Sequence, residues 1–346
     1  MAASRFPGRG LSMGINFDLT TIWAIIIAFA VFMYVWMDGF DLGIGILFPL
    51  FGVGEERDQA MNAIAPVWDG NETWLVLGGG GLLAAFPLAY AIILPATYPL
   101  IIAMLLGLVF RGVAFEFRWR DPRHRRWWDI GFTAGSFIAA MAQGMILGAL
   151  LQGITVTGRA YGGGWLDWLS PFSLLTGVGV IVGYALLGAC LLIIKVEGRA
   201  LDHAYRLARI AAWAMLAMMI AVSLATPFLA GEYWRRWFAV PAIYFAAPVP
   251  LIGASLFLAL FRSLVARRTF APFLIALALF AIGMVGLGIS MWPFIIPHSV
   301  TIWQAAAPER SQIFMLVGTL IIMPIILAYT GWAYWVFRGK VGEGYH

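Results

Sequence analysis

The chain has 346 residues, 62% of them hydrophobic and 11% charged, with a mean hydropathy of +0.89. Soluble domains carry about 25% charged residues, so a soluble globular class is excluded and an all-α integral membrane protein is indicated. The net charge of +5 does not mark a nucleic-acid binder, because the basic residues lie between apolar runs and not along one soluble face.

The leading segment MAASRFPGRGLSMGINFD (1–18) has no apolar core of its own, so it does not read as a cleavable signal peptide. Met13 is an alternative start, and the first apolar run serves as an uncleaved anchor. A spanning helix needs about 20 mostly apolar residues, and nine runs qualify. The first, 20–48, ends in MDGFDLGIG with Asp38 and Asp41. The second, 60–84, carries APVWDGNETW (65–74), with Trp68, Asp69 and Glu72, and then GGGG (78–81). The third, 88–115, closes at Glu116 and leads into the loop RWRDPRHRR (118–126). The fourth, 127–151, opens with Asp129. The fifth, 171–195, holds the single cysteine, Cys190, which reads as a packed core thiol. The last four runs are 204–228, 241–262, 270–293 and 312–337. The alternating ten-residue segments of a β-barrel are missing. Connections of roughly 4 to 20 residues leave no room for a soluble domain. The expectation is one transmembrane domain over 1–346, with a short outer segment at 1–18, nine spans over 20–337 and a cytoplasmic tail at 338–346.

Nine spans put the termini on opposite sides. The side of the N-terminus carries Arg5, Arg9, Arg159, Arg235, Arg236 and Arg310, six of the 22 basic residues. The other side carries the remaining sixteen, including the cluster 118–126. The positive-inside rule then places the N-terminus outside and the C-terminus in the cytoplasm, with the arginine-rich loop against anionic lipid.

On this topology Asp38, Asp41, Asp69, Glu72, Glu116 and Asp129 all fall toward the cytoplasmic side, on four helices. Spacing of three residues sets Asp38 with Asp41, and Asp69 with Glu72, on single helix faces. An acid at a helix centre costs roughly 2.5–3.5 kcal/mol on insertion scales, so such acids face protein or water and suit a proton relay. The plainer alternatives are that Asp38 caps a break at Gly39 and that Asp129 caps the fourth helix.

Other signals carry less. GGGG (78–81) lacks the lysine and the preceding strand of a phosphate loop and reads as close helix packing. Gly43-Ile44-Gly45 is equally weak as a nucleotide fingerprint. His124, His203, His298 and His346 fall in loops, at helix ends or at the terminus, so no bis-histidine haem site is expected within this chain. No nucleophile–base pair and no metal-ligand spacing stands out. A proton-coupled secondary transporter acting alone also fits intramembrane acids and glycine-rich helices, but DGFD and WDGN have no counterpart in the second half, as an internal repeat would require.

Six stretches carry a resemblance: MDGFDLGIGIL (37–47), IAPVWDGNETWL (64–75), LVFRGVAFEFR (108–118), WWDIGFTAGSF (127–137), SMWPFIIPHS (290–299) and PIILAYTGWAYW (324–335). Together they resemble subunit II of the bacterial cytochrome bd-type quinol oxidases, nearly end to end. The resemblance implies two four-helix bundles plus one peripheral helix, in a bacterial inner-membrane protein of the aerobic respiratory chain. It implies no redox cofactor in this chain. It also implies pairing with subunit I, which carries two haems b and one haem d, oxidises quinol and reduces oxygen to water. Subunit II would then support subunit I and bring protons from the cytoplasm to the oxygen-reducing site, making the complex electrogenic. The family's WDG aspartate falls on Asp69 and its tryptophan on Trp68. The second aspartate of DGFD falls on Asp41, and that of WDxG on Asp129. Asp38 and Glu72 would tune the same path. The resemblance leaves room for a small single-helix accessory subunit, for membrane lipids and for a structural quinone or lipid whose residues it does not assign. The short connection at GEYWRRWFAVP (231–241) resembles the cyanide-insensitive branch of the family.

Overall fold

The computed structural model describes residues 18–341. The segment with Arg5, Arg9 and Met13, and the terminal His346, lie outside the described residues. The chain is helical, with α1 (Leu19–Leu47), α2 (Glu55–Asn62), α3 (Trp68–Ala85), α4 (Pro87–Arg120), α5 (Arg125–Gln152), α6 (Pro171–Lys195) and α7 (Gly198–Ala225). After these come α8 (Gly231–Phe238), α9 (Ile243–Ala246), α10 (Pro248–Val265), α11 (Ala271–Met291), α12 (Ile302–Ala305) and α13 (Glu309–Val336). Two short antiparallel hairpins, Val156–Thr157 with Ala160–Tyr161 and Phe294–Ile296 with Val300–Thr301, lie at the same end as α8 and α12.

Local chemistry sets the boundaries. Asp18 caps α1 by accepting the Thr21 N–H at 2.7 Å. Ser170 and Ser173 form a capping box on α6 ahead of Pro171. Pro95 and Pro99 lie inside α4, and Thr97 between them leaves helical geometry, a proline kink.

Eight helices of the described residues are long and apolar enough to cross a membrane. The expected second run is not among them. Its polar beginning is not part of one long helix: Glu55–Asn62 forms α2, residues 63–67 turn, and α3 starts only at Trp68. Asp69 and Glu72 therefore lie in the first turns of α3, not several turns inside a span from 60. The sixth run begins earlier than expected, at Gly198, and the connection at 231–241 forms the short helix α8.

Helices α1, α3, α4 and α5 pack together, as do α6, α7, α10 and α11, while α1 and α5 both join the two groups through α6. At that joint the backbones touch. A Cβ on Gly43 would stand 1.8 Å from the Tyr184 carbonyl oxygen, and one on Gly188 2.6 Å from the Gly43 backbone, so only glycine allows this approach. The GGGG run divides. Gly78 and Gly81 pack on Val31 and Ile27 of α1, whereas Gly79 and Gly80 face open space. Cys190 is buried in the α6 core. Helix α13 lies outermost, with Phe314, Leu320, Ile325, Tyr329 and Trp332 exposed.

Candidate functional site

The C-terminal half of α1 is buried from Met37 to Gly45, so both aspartates of DGFD point into protein. Helix α1 runs unbroken past Gly39, and Asp38 caps nothing. Arg111, from the C-terminal third of α4, reaches both neighbours. Its Nη1 donates to Asp38 Oδ1 at 2.6 Å, and its Nη2 donates to Glu72 of α3. Arg111 is 1% exposed and Asp38 fully buried, so this is a desolvated, charge-assisted pair. Trp68 covers it, with the Arg111 guanidinium 5.9 Å from the ring centroid and Phe115 packed on the ring at 5.3 Å.

Asp41, also fully buried, accepts the Asn71 side-chain N–H at 2.7 Å. The same amide nitrogen lies 3.3 Å from the Met37 carbonyl, and its carbonyl oxygen accepts the Tyr334 hydroxyl of α13 at 2.8 Å. A second chain of polar groups begins one turn from Asp38. Tyr184 donates to Gln143 at 2.7 Å, and Gln143 donates to the Tyr34 hydroxyl at 2.8 Å. Asp38 Oδ2, Asp41 Oδ1 and Arg111 Nε have no hydrogen-bond partner in the protein. Buried polar atoms are nearly always satisfied, so an unpaired oxygen on each of two buried aspartates sets this cluster apart.

Asp69 stands apart from this cluster. It is exposed, on the face of α3 that also carries Gly70, Thr73, Val76 and Gly80, and opposite the buried Asn71 and Trp74. Glu72 lies between the two faces, with its side chain 27% exposed. The α3 acids thus step from the surface to Arg111.

Asp129 belongs to a separate network two turns along α4. It accepts from Arg57 at 2.8 Å and from Arg118 at 2.6 Å. Arg118 also pairs with Asp58 at 2.9 Å, and Arg125 joins Asp58. Asp129 does not cap α5, whose N-cap position is His124. It ties α5 to α4 and to α2. Beside it, Glu56 accepts the Gly52 N–H at 2.9 Å and faces His203 Nδ1 at 2.8 Å. Burial works against its charge, but these two contacts hold its carboxyl below the usual range. Glu116 is exposed and joins neither network. The six acids expected at one depth are therefore divided among a buried cluster, surface positions on α3 and α4, and an ion-pair network nearer the helix ends.

Sequence reasoning counted Arg111 and Arg118 only as topogenic charge and passed over Asn71 and Tyr334. The signal was present: two arginines seven residues apart in LVFRGVAFEFR share one helix face. The described histidines each face a carboxylate, His124 with Asp121, His203 with Glu56 and His298 with Glu232. Among the described residues no group of three or more His, Cys, Asp or Glu is arranged to hold a metal ion.

The sequence model of the family described as cytochrome bd terminal oxidase subunit II matches residues 19–337. The chain belongs to that family. This subunit II is 30% identical to cytochrome bd-I ubiquinol oxidase subunit 2 of Escherichia coli over 366 residues, covering 93% of this chain and 95% of that one. It is 28% identical over 337 residues to cytochrome bd ubiquinol oxidase subunit 2 of Bacillus subtilis, covering 94% and 98%. Its fold is similar to a chain of the bd oxidase from Geobacillus thermodenitrificans, with a TM-score of 0.70 at 18% identity over 92% of this chain and 98% of that one. Membership of this family makes the chain a respiratory oxidase subunit and removes the ground for the stand-alone transporter reading.

Proposed function

We propose that this chain is the non-haem subunit of a quinol:oxygen oxidoreductase in a bacterial cytoplasmic membrane, and that it leads cytoplasmic protons toward the oxygen-reducing site of a haem-bearing subunit I. The haems b and d of that partner supply the redox chemistry. This chain supplies carboxylates. The observation that carries the reading is the buried pair Asp38 and Asp41, each with an unpaired oxygen, reached from the surface through Asp69, Glu72 and Arg111. Protons drawn from the cytoplasm, with quinol protons released on the other side, would make turnover electrogenic.

In this reading α3 is the ninth crossing, less apolar than the others because its outward face meets subunit I instead of lipid. An exposed Asp69 beside exposed glycines supports that, since lipid disfavours both a charge and a bare backbone. The packing groups α1, α3, α4, α5 and α6, α7, α10, α11 form the two bundles, and α13 is the peripheral helix. The basic end, with the 118–126 loop, faces the cytoplasm. Asp129, fully paired, serves as a tie and not as a carrier.

Asp69→Asn tests this. The complex assembles, and oxygen reduction slows or loses its coupling to proton uptake from the cytoplasm. Normal turnover with normal uptake in the assembled variant removes Asp69 from the path, and failure to assemble gives it a structural role.

A further inference from the structure

The DGFD aspartate Asp41 is held by an amide, and an amide has two ends. Asn71 presents its NH₂ to Asp41 Oδ2 at 2.7 Å only because its carbonyl oxygen is turned the other way. That oxygen accepts the Tyr334 hydroxyl at 2.8 Å. The Met37 carbonyl, which only accepts, lies 3.3 Å from the same amide nitrogen and sets this orientation together with Asp41, and the Tyr334 hydroxyl fits it by donating to the amide oxygen. We propose that Tyr334 is a positioning residue for Asp41: it satisfies the Asn71 carbonyl and, with the Met37 carbonyl, steadies the amide as a hydrogen-bond donor to Asp41.

Tyr334 is well placed for this. Its ring packs edge-on against Phe40, next to Asp41, at 6.4 Å and 89°. Helix α13 is held near its start, where the Trp23 indole donates to the Gln312 carbonyl at 3.0 Å, and its C-terminal end is pinned as well. Lys195 donates to the Phe337 carbonyl at 2.6 Å, Lys340 donates to the Val196 carbonyl at 2.7 Å, and the Val341 N–H donates to the Lys195 carbonyl at 2.8 Å. This clasp closes within one to two turns of Tyr334 and fixes the height at which its hydroxyl meets Asn71. The other charged groups around Asp41 are Asp38 on α1, Glu72 on α3 and Arg111 on α4, and none of them bonds the Asn71 carbonyl. With Tyr334→Phe, the ring packing remains and only the hydroxyl is lost, so the Asn71 carbonyl is left without its partner and the amide is held only through its nitrogen, by Asp41 and the Met37 carbonyl.

This inference rests on the proposed proton role of Asp41 for its consequence in turnover, but not for its geometry, and the experiment separates the two. Infrared difference spectra of the resting assembled oxidase between acid and alkaline pH are recorded for the native complex, Tyr334→Phe, Asn71→Ala, the double variant and Asp41→Asn. The expected result is a changed carboxyl region in Tyr334→Phe at the component removed by Asp41→Asn, with no further change when Tyr334→Phe is added to Asn71→Ala. Turnover should fall about three- to tenfold in Tyr334→Phe, again with no added loss in the double variant, since coupled residues give non-additive effects. An unchanged carboxyl region, or losses that add, overturns the proposal, as does loss of the haem subunit from Tyr334→Phe, which would make the hydroxyl a packing group. A changed spectrum alongside normal turnover in Asp41→Asn keeps the positioning role and removes the relay reading.

Discussion

Removing Arg111 tests whether the acid cluster is held together by one buried cation. Arg111→Ala takes away the donor at 2.6 Å from Asp38 Oδ1. Asp38 is fully buried and its other oxygen has no protein partner, so a carboxylate is left uncompensated. Breaking a buried pair from one side costs about 3–5 kcal/mol. Glu72 adds little, because its side chain is 27% exposed and solvent screens it. At about 2–4 °C per kcal/mol for chains of 150–250 residues, and less for a longer one, the thermal midpoint of the purified complex should fall by roughly 5–10 °C. Arg111→Lys should recover only part of this, since a point charge does not span Asp38 and Glu72 as the guanidinium fork does. Asp38→Leu combined with Arg111→Met should recover most of it, because replacing both partners with apolar side chains removes the uncompensated charge. If Arg111→Ala melts within about 1 °C of the native complex, or if the double variant is no better than the single one, the buried-pair argument is wrong.

Gly43→Ala should prevent stable assembly, because its Cβ would meet the Tyr184 carbonyl oxygen at 1.8 Å and force α1 from α6; a normal yield of complex would show that the joint yields. Glu56 should give a pH-dependent contribution. Its folded value is lowered, so its stabilisation is present above the usual glutamate value of about 4.5 and lost as pH falls through the folded value. The gap in thermal midpoint between the native complex and Glu56→Gln should therefore be open at neutral pH and close on acidification below about 4.5; a gap that does not vary with pH would contradict this.

Most of the crossing helices were legible, because length and apolarity are local properties, and Pro87, Pro171 and Gly153 punctuate them where the structure does. The beginning of α3 was not. Residues 60–67 continue the apolar count without a strong breaker other than Pro66, and only tertiary structure shows that α2 ends at Asn62. Facing directions were the harder matter. In helices apolar on all sides, periodicity does not say which face meets protein. Spacing put Asp69 with Glu72, but it is Asn71, between them in sequence, that points inward. The same ambiguity hid Arg111 and Arg118, whose partners come from α1, α2, α3 and α5.

The outward position of Asp69 has a consequence for the life of the chain before it meets a partner. A newly inserted copy shows a carboxylate and bare glycine backbone on a surface otherwise suited to acyl chains, a local penalty on the order of 2–3 kcal/mol if the acid sits near the bilayer centre and less toward its edge. That penalty is relieved only when another protein covers the face. With α3 against subunit I, as proposed above, an unpaired copy is the less stable form.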